Sequence, residues 1–432
     1  ISHIYQDKTG HWVIQSNENH SAGVAKLASQ FAGEFGMSEW GKVLGLLHDK
    51  GKETDTFQQY IKKESGYDPD IKICGKHHHA YVGGILAQKY YGKSSCNFFV
   101  NQIVSHHTGL HDSDEIKGII DQEIPSEVNI YHIKEKLNRP ELNVQANDFH
   151  HLARMLFSCL VDADFLDTEA FMDKESSALR QNKDTLNGLL PLLENKLKDL
   201  KAKADCSEVN IIRNQIQQQC IEMADTRTGF YSLTVPTGGG KTLSSLVWAI
   251  KHAIKNGQKR VIIAIPYTSI IVQTASVLRS IFGEENVLEH HSCVDPEQIK
   301  DEKLKEKMKL ATENWGYPII VTTNVQLFES MFSNKPSACR KLHNIVNSVI
   351  ILDEVQTLPM DYLQPIVDSL KTYNKLFNVS FLFTTASQPV LSGLIEGCNP
   401  KAAFNGIDHI TEIIPDEFKL HANHCLATDT SC

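Results

Sequence analysis

Residues 230–250 read FYSLTVPTGGGKTLSSLVWAI. A β-rich apolar run, a glycine-rich turn and an amphipathic helix follow one another in that order. Backbone N–H groups at the start of such a helix, together with its positive end, can surround phosphate oxygens. Thr237, Gly238, Gly239, Gly240, Lys241 and Thr242 make up the turn. Lys241 is placed to reach the β- and γ-phosphates of a nucleotide, and the Thr242 hydroxyl to bind magnesium. Val235 stands where the strict P-loop pattern has glycine, so the match is to the form PTGxGKT.

On the C-terminal side, RVIIAIP, PIIVTT, SVIILDE and VSFLFTT are short runs apolar on both faces, separated by helical stretches. That alternation predicts a mostly parallel sheet covered by helices on both sides. SVIILDEVQ ends in Asp353-Glu354, which puts one carboxylate at the sheet's C-terminal edge to hold magnesium and another to orient a water. RNQIQQQC, upstream, offers Gln215, Gln217, Gln218 and Gln219 as readers of adenine, an assignment the sequence leaves open.

The other half has a different grammar. AGVAKLASQFAGEFG, HAYVGGILAQKYYG, NFFVNQIVSHH and HHLARMLFSCLVDADFLD space apolar residues at three and four, which predicts an all-helical domain. NKLKDLKAKADCSEVN is charged and reads as a solvated helix end leading into a linker, so the boundary is expected near residue 205. Within residues 1–205, ligand-type side chains recur at helix ends: His20, His48-Asp49 in GLLHDKGK, His79, His106-His107, and Asp164 in CLVDADFLD. Imidazole and carboxylate together suit iron, manganese, cobalt, nickel or zinc, and a carboxylate adjoining another ligand can bridge two ions. His77, His78, His111 and His150-His151 read as surface or supporting residues. Asp162 competes with Asp164, the aromatic residue that follows favouring Asp164.

The chain has 432 residues, 41% of them apolar, enough for two or three domains with sizeable cores. It shows no long apolar run and no secretory leader, and its ten cysteines form no CxxC pair. Cytoplasmic residence with reduced thiols is the expectation. A net charge of −9 offers no broad basic footprint, so any nucleic acid must be held by local grooves and backbone amides. The chain opens on Ile1 rather than methionine, which suggests a portion of a longer protein.

PTGGGKT, IPYTSIIVQTA, DEVQ and TTAS, in that order, resemble motifs I, Ia, II and III of superfamily 2 helicases, with DEVQ departing from the DEAD and DEAH endings of the RNA-remodelling families. HDKGK, residues 48–52, resembles the HDxGK signature of the HD superfamily of metal-dependent phosphohydrolases. An HD domain ahead of a helicase with PYTSII, HHS and DEVQ resembles the CRISPR-associated helicase-nucleases of type I interference systems. The resemblance implies an HD domain over 1–205 and a first RecA-like domain over 206–432. It implies one metal held by His20, His48, Asp49 and Asp164, and a second held by Asp49, His79, His106 and His107. Lys52 would then meet a substrate phosphate, and Gln356 with Thr385 to Ser387 would link nucleotide state to movement. It further implies ATP and magnesium in the motor, single-stranded DNA as substrate, an RNA-guided surveillance complex as partner, and a monomer in a prokaryotic cytoplasm. Only residues 388–432 follow TTAS, so a second RecA-like domain, and with it duplex unwinding, is expected to be missing. The competing reading is a nucleotide phosphohydrolase with a regulatory P-loop domain. A third is a DNA-binding scaffold with decayed sites.

Overall fold

A computed structural model describes residues 1–73, 78–92, 96–128, 137, 141–180, 183–236, 238–291, 302–386, 404 and 408–416. Thr237 and Ser387, expected at the nucleotide site, and His77 lie outside the described residues. In chain order the first elements are β1 (His3–Gln6), β2 (Trp12–Gln15), α1 (Asn17–Gly33), α2 (Ser38–Leu47), α3 (Asp55–Glu64) and α4 (Ala80–Tyr91). They continue as α5 (Asn101–Ser105), α6 (Ser113–Ile120), α7 (Phe149–Met172) and α8 (Lys174–Leu179). Then come α9 (Leu186–Lys203), α10 (Glu208–Met223), β3 (Phe230–Thr234), α11 (Lys241–Lys255), β4 (Arg260–Ile265) and α12 (Thr268–Phe282). The rest are β5 (Val287–His290), α13 (Glu302–Asn314), β6 (Ile319–Thr323), α14 (Asn324–Phe332), α15 (Pro336–Cys339), β7 (Ser348–Asp353), α16 (Leu363–Phe377), β8 (Ser380–Thr385) and β9 (Ile410–Glu412).

Two compact units result, one of Ile1–Gln181 with Ser330–His343, the other of Asn182–Glu329 with Asn344–Cys432. The boundary expected near 205 therefore moves: Leu186, Leu189, Leu193 and Leu197 of α9 are buried in the core of the second unit. A charged exposed face made α9 look like the end of the first domain, while its leucine stripe belongs to the next.

The first unit is helical, with one addition the periodicity did not announce. β1 and β2 form an antiparallel hairpin, Ile4 opposite Ile14, turned by Asp7, whose Oδ1 accepts from the N–H groups of Thr9 and His11. Behind it, α1 starts on Ser16, whose side chain accepts from Asn19 N, and lies unusually close to α2. A Cβ added at Gly41 would fall 2.2 Å from Ala28 O, and one at Gly45 would fall 2.4 Å from Ala25 Cα. Small residues on both helices thus let the backbones nearly touch. Residues 330–343 complete this unit. Arg340 Nε donates to Asp162 Oδ1 of α7 at 2.9 Å in a fully buried pair, His343 stacks on Phe31 with ring centres 4.2 Å apart, and Ser158 Oγ donates to Arg340 O.

The second unit is built on a seven-stranded parallel sheet in the order β5-β6-β4-β7-β8-β3-β9. Its central strands are buried along nearly their whole length, as strands covered on both faces must be, and helices supply the crossovers. β3 lies beside β8, with Thr234 opposite Thr385, and β7 beside β8, with Asp353 opposite Thr384. The register brings the glycine turn, Asp353-Glu354 and the threonines of TTAS to one edge. No helix among the described residues is long and apolar enough to cross a membrane.

Candidate metal centre and nucleotide site

α2 ends at Leu47 and hands the chain to His48 and Asp49, so the apolar stretch buries its own terminal ligands: His48 is 0% and Asp49 1% exposed. His20 comes from the first turns of α1, His79 from the residue before α4, His106 and His107 from the end of α5, and Asp164 from α7. The structure brings all seven together as two groups that share Asp49. His20, His48, Asp49 and Asp164 offer ligand atoms within 4.8 Å of one another, as do Asp49, His79, His106 and His107. Asp49 Oδ2 faces His20 Nε2 and His48 Nε2, each at 3.3 Å, while Oδ1 faces His79 Nε2 at 3.3 Å and His106 Nε2 at 3.5 Å.

In three of the five imidazoles the other ring nitrogen is already spoken for. His48 Nδ1 lies 2.8 Å from Gly45 O and His106 Nδ1 2.5 Å from Ile103 O; a carbonyl can only accept, so these nitrogens carry the proton. His20 Nδ1 is likewise 2.8 Å from Asp167 Oδ2. In each case Nε2 is left aimed inward, the tautomer that a metal-binding imidazole needs. Asp49 Oδ1 and His106 Nε2 are buried without a hydrogen bond of acceptable geometry. Orphaned buried polar atoms within a set of imidazoles and carboxylates fit divalent transition metals well.

The electrostatics divide the two groups. Burial opposes charge on His20, but Asp164, Asp167 and Asp49 outweigh it and raise the imidazole to about 10; Asp49 and Asp164 likewise raise His48 to about 9. On the other side burial and the neighbouring imidazoles push His107 down to about 3, and burial lowers His79. Burial works against ionisation of Asp49, yet His48 and Lys52 hold its carboxyl well below the usual range.

Lys52, expected to meet a substrate phosphate, is 5% exposed here; its ammonium lies 2.6 Å from Asp49 Oδ2 and donates to Ser2 Oγ. Three residues from Asp49 on a tight 3-10 turn, Lys52 is folded back onto that carboxylate. Asp162 and Asp164 separate for a geometric reason, since residues two apart on a helix point to nearly opposite sides. Asp164 faces the histidines and Asp162 faces Arg340. Asp167 was missed by sequence reasoning, though its position three after Asp164 on α7 was the available signal. His3, on β1, was also missed; its ring packs edge-on against His20 at 4.7 Å.

In the second unit Gly238 and Gly240 take positive φ values of +86° and +77°, which the glycine turn requires, and Gly240 caps α11. Arg213 of α10 donates from Nε to Gly238 O at 2.7 Å. Lys241 Nζ lies 2.5 Å from Glu354 Oε1 and 3.4 Å from Asp353 Oδ1. Burial works against ionisation of Glu354, but Lys241 and Gln356 hold it below the usual carboxylate range. Thr384 donates to Asp353, and Thr385 Oγ1 donates to Gln356 Oε1 at 2.8 Å, so the TTAS strand is wired to DEVQ. A cavity of about 460 Å³ opens beside the turn, with Arg213, Gln217, Gly240 and Ser244 among its walls. Of the four glutamines singled out above, Gln217 lines this cavity, while Gln218 donates to Glu222.

Comparison with known proteins agrees with the two kinds of domain. Residues 17–144 match the model of the HD domain, and residues 214–392 that of the DEAD/DEAH box helicase. A CRISPR-associated nuclease/helicase Cas3 of Haloferax volcanii is 28% identical over 180 residues, 37% of this chain and 19% of that protein. Crystal structures of T. fusca Cas3 and of T. fusca Cas3-AMPPNP superpose with TM-scores of 0.54 and 0.53 at 16% identity, covering 85% and 86% of this chain and 47% of theirs. At that identity the likeness is one of fold. The chain spans about a fifth of the length of the curated relatives it matches.

Proposed function

From a chain that joins an HD domain to a DEAD/DEAH-box helicase domain, and so has the make-up of the CRISPR-associated HD nuclease-helicases, we infer a metal-dependent nuclease that cuts single-stranded DNA. An ATP-driven motor delivers the strand, and an RNA-guided surveillance complex directs it. The observation that carries the reading is the sharing of Asp49 between two convergent ligand groups.

His20, His48, Asp49 and Asp164 would hold one divalent cation and Asp49, His79, His106 and His107 a second. Such a pair supplies an acidified water and charge stabilisation for the leaving oxygen of a phosphodiester. The chain's own part is orientation. Asp167, Gly45 O and Ile103 O fix three rings in the ligating tautomer. Lys52 offsets part of the charge on Asp49 and keeps its carboxylate ionised. In the motor, Lys241 would meet the β- and γ-phosphates of ATP, Thr242 and Asp353 would hold magnesium, and Glu354, kept ionised, would orient the attacking water. Gly238, Gly239 and Gly240, with Thr237, would present backbone amides to the phosphates. The Gln356–Thr385 hydrogen bond would carry nucleotide state to the adjoining strand. Specificity for a target would come from base pairing in the partner complex, since this acidic chain shows no base-reading motif.

Circular single-stranded DNA tests the reading, because it offers no ends and no free phosphate. Incubation with manganese, cobalt or nickel should yield linear and then short fragments. Release of phosphate from free nucleotides, with the circle intact, would replace the nuclease by a nucleotide phosphohydrolase.

A further inference from the structure

We propose that a cavity beside His79 and His107 is a nucleobase subsite, in which a base flanking the scissile phosphate stacks against Tyr60 and Tyr81. The proposal rests on the nuclease reading above and adds to it how the strand is gripped at the cut. The cavity measures about 450 Å³ and lies wholly within the first unit. Sites of roughly 300–1,000 Å³ enclose ligands of nucleotide size.

His79 and His107 line the cavity and also belong to the outer ligand group, so an occupant sits next to the reacting phosphate. The composition of the walls decides what that occupant is. Among the described residues, no Lys or Arg and no Asp or Glu lines the cavity, which favours neither a phosphate nor a further cation as its occupant. What it offers is flat π surface, from Phe57, Tyr60, Tyr81 and the histidine rings, beside the aliphatic Val104 and Ile119. Aromatic and imidazole planes next to an apolar wall are what an unstacked base binds, whatever its identity.

Phe57 is a fixed floor rather than a mobile partner. It is buried, its ring meets His79 edge-on at 4.8 Å, and Lys52 Nζ lies 5.7 Å from its centre. Tyr60 and Tyr81 are only partly buried and keep surface available for stacking. Thr108 and Gln122 add exposed polar groups that are turned to their own chain, Thr108 Oγ1 to His111 Nε2 at 3.0 Å and Gln122 Nε2 to Ile119 O at 3.1 Å. The subsite therefore tolerates any sequence, as a strand-degrading enzyme requires, and it admits a single strand but not a paired base.

The test compares two oligonucleotides of equal length, one ordinary and one in which abasic tetrahydrofuran residues replace the nucleosides, each cut with manganese present. The unaltered protein should cleave the abasic strand with KM raised about tenfold, the worth of one stacked base at 1–3 kcal/mol. Tyr60→Ala with Tyr81→Ala should raise KM for the ordinary strand by a similar factor, leave KM for the abasic strand where it was, and retain bound metal. Tyr60→Phe with Tyr81→Phe should restore the ordinary strand. Equal KM for both strands in the unaltered protein would overturn the subsite while leaving the nuclease standing. A rise of KM on both strands in the alanine variant would overturn it too, by making the tyrosines backbone contacts or mere structure. Failure to cut either strand would remove the nuclease reading and the subsite together.

Discussion

Among the described residues, Asp49 is the side chain that both ligand groups share, with one oxygen turned to each. Asp49→Asn keeps the shape and removes the charge. We expect it to lower metal-dependent cleavage by at least roughly 100-fold and to reduce the metal that co-purifies, with ATP binding unchanged. Lys241→Ala should do the converse, losing nucleotide binding and keeping cleavage of DNA already single-stranded. Wild-type cleavage by the first variant, or loss of cleavage by the second, would break the assignment of chemistry to separate sites. His252 of α11 gives a test by pH. Burial pushes its imidazole down to about 4, and it stacks on Trp248 with Nε2 2.9 Å from Ser380 Oγ. Unfolded histidine takes up a proton below about 6.5, and the folded residue does not until about 4. Its contribution is thus complete above 6.5 and is lost as pH falls toward 4, on the order of 3 kcal/mol in all. Denaturant midpoints at pH 7 and pH 5 should draw closer in His252→Gln; an unchanged difference would place the acid sensitivity elsewhere. At this scale the sequence showed much of the site, because chemically distinctive residues recur at helix ends. Lys52 was named, but its pairing with Asp49 was not read, nor were the parts of Asp167 and His3, since these depend on which way a side chain turns after the helices have packed.

The crossing of α1 and α2 explains why a glycine precedes the metal ligands in GLLHDKGK. Gly45 touches Ala25 and its carbonyl orients His48, so one residue sets both the helix spacing and a ligand's tautomer. Gly45→Ala should cost about 1–3 kcal/mol through overpacking and weaken metal binding with it. Gly118→Ala in α6, where a Cβ would meet nothing within 4 Å, should instead gain about 0.5–1 kcal/mol. Thermal unfolding of the two variants checks the contrast in sign. Five strands of the second unit, β3, β4, β6, β7 and β8, were legible because burial on both faces leaves a local mark, a run of apolar β-branched residues. β1, β2, β5 and β9 were not. Each is three or four residues long, and β9 owes its place to Glu412, which accepts from Ser232, Thr234 and the Thr234 amide on β3 rather than to any pattern of its own.

At the scale of the whole chain, the first unit is discontinuous. Residues 330–343 carry no periodicity that would assign them to a helical domain, and what places them is a long-range pair, Arg340 with Asp162, which a single sequence does not reveal. Arg340→Met should cost about 3–5 kcal/mol by taking the guanidinium away from a buried carboxylate, and adding Asp162→Leu should recover most of it. Calorimetry would show this as a lowered transition for the first variant and a restored one for the second; an unmoved transition would mean that the pair does not hold the unit together. The same feature sets a timetable for biosynthesis. The segment that closes the first unit is translated after β3 through β6, on the order of 10–30 s later than Gln181 at about 5–20 residues per second. Until then the nascent helix bearing Asp164 lacks the Arg340 guanidinium beside Asp162, so the ribosome completes the first unit only after it has made most of the second.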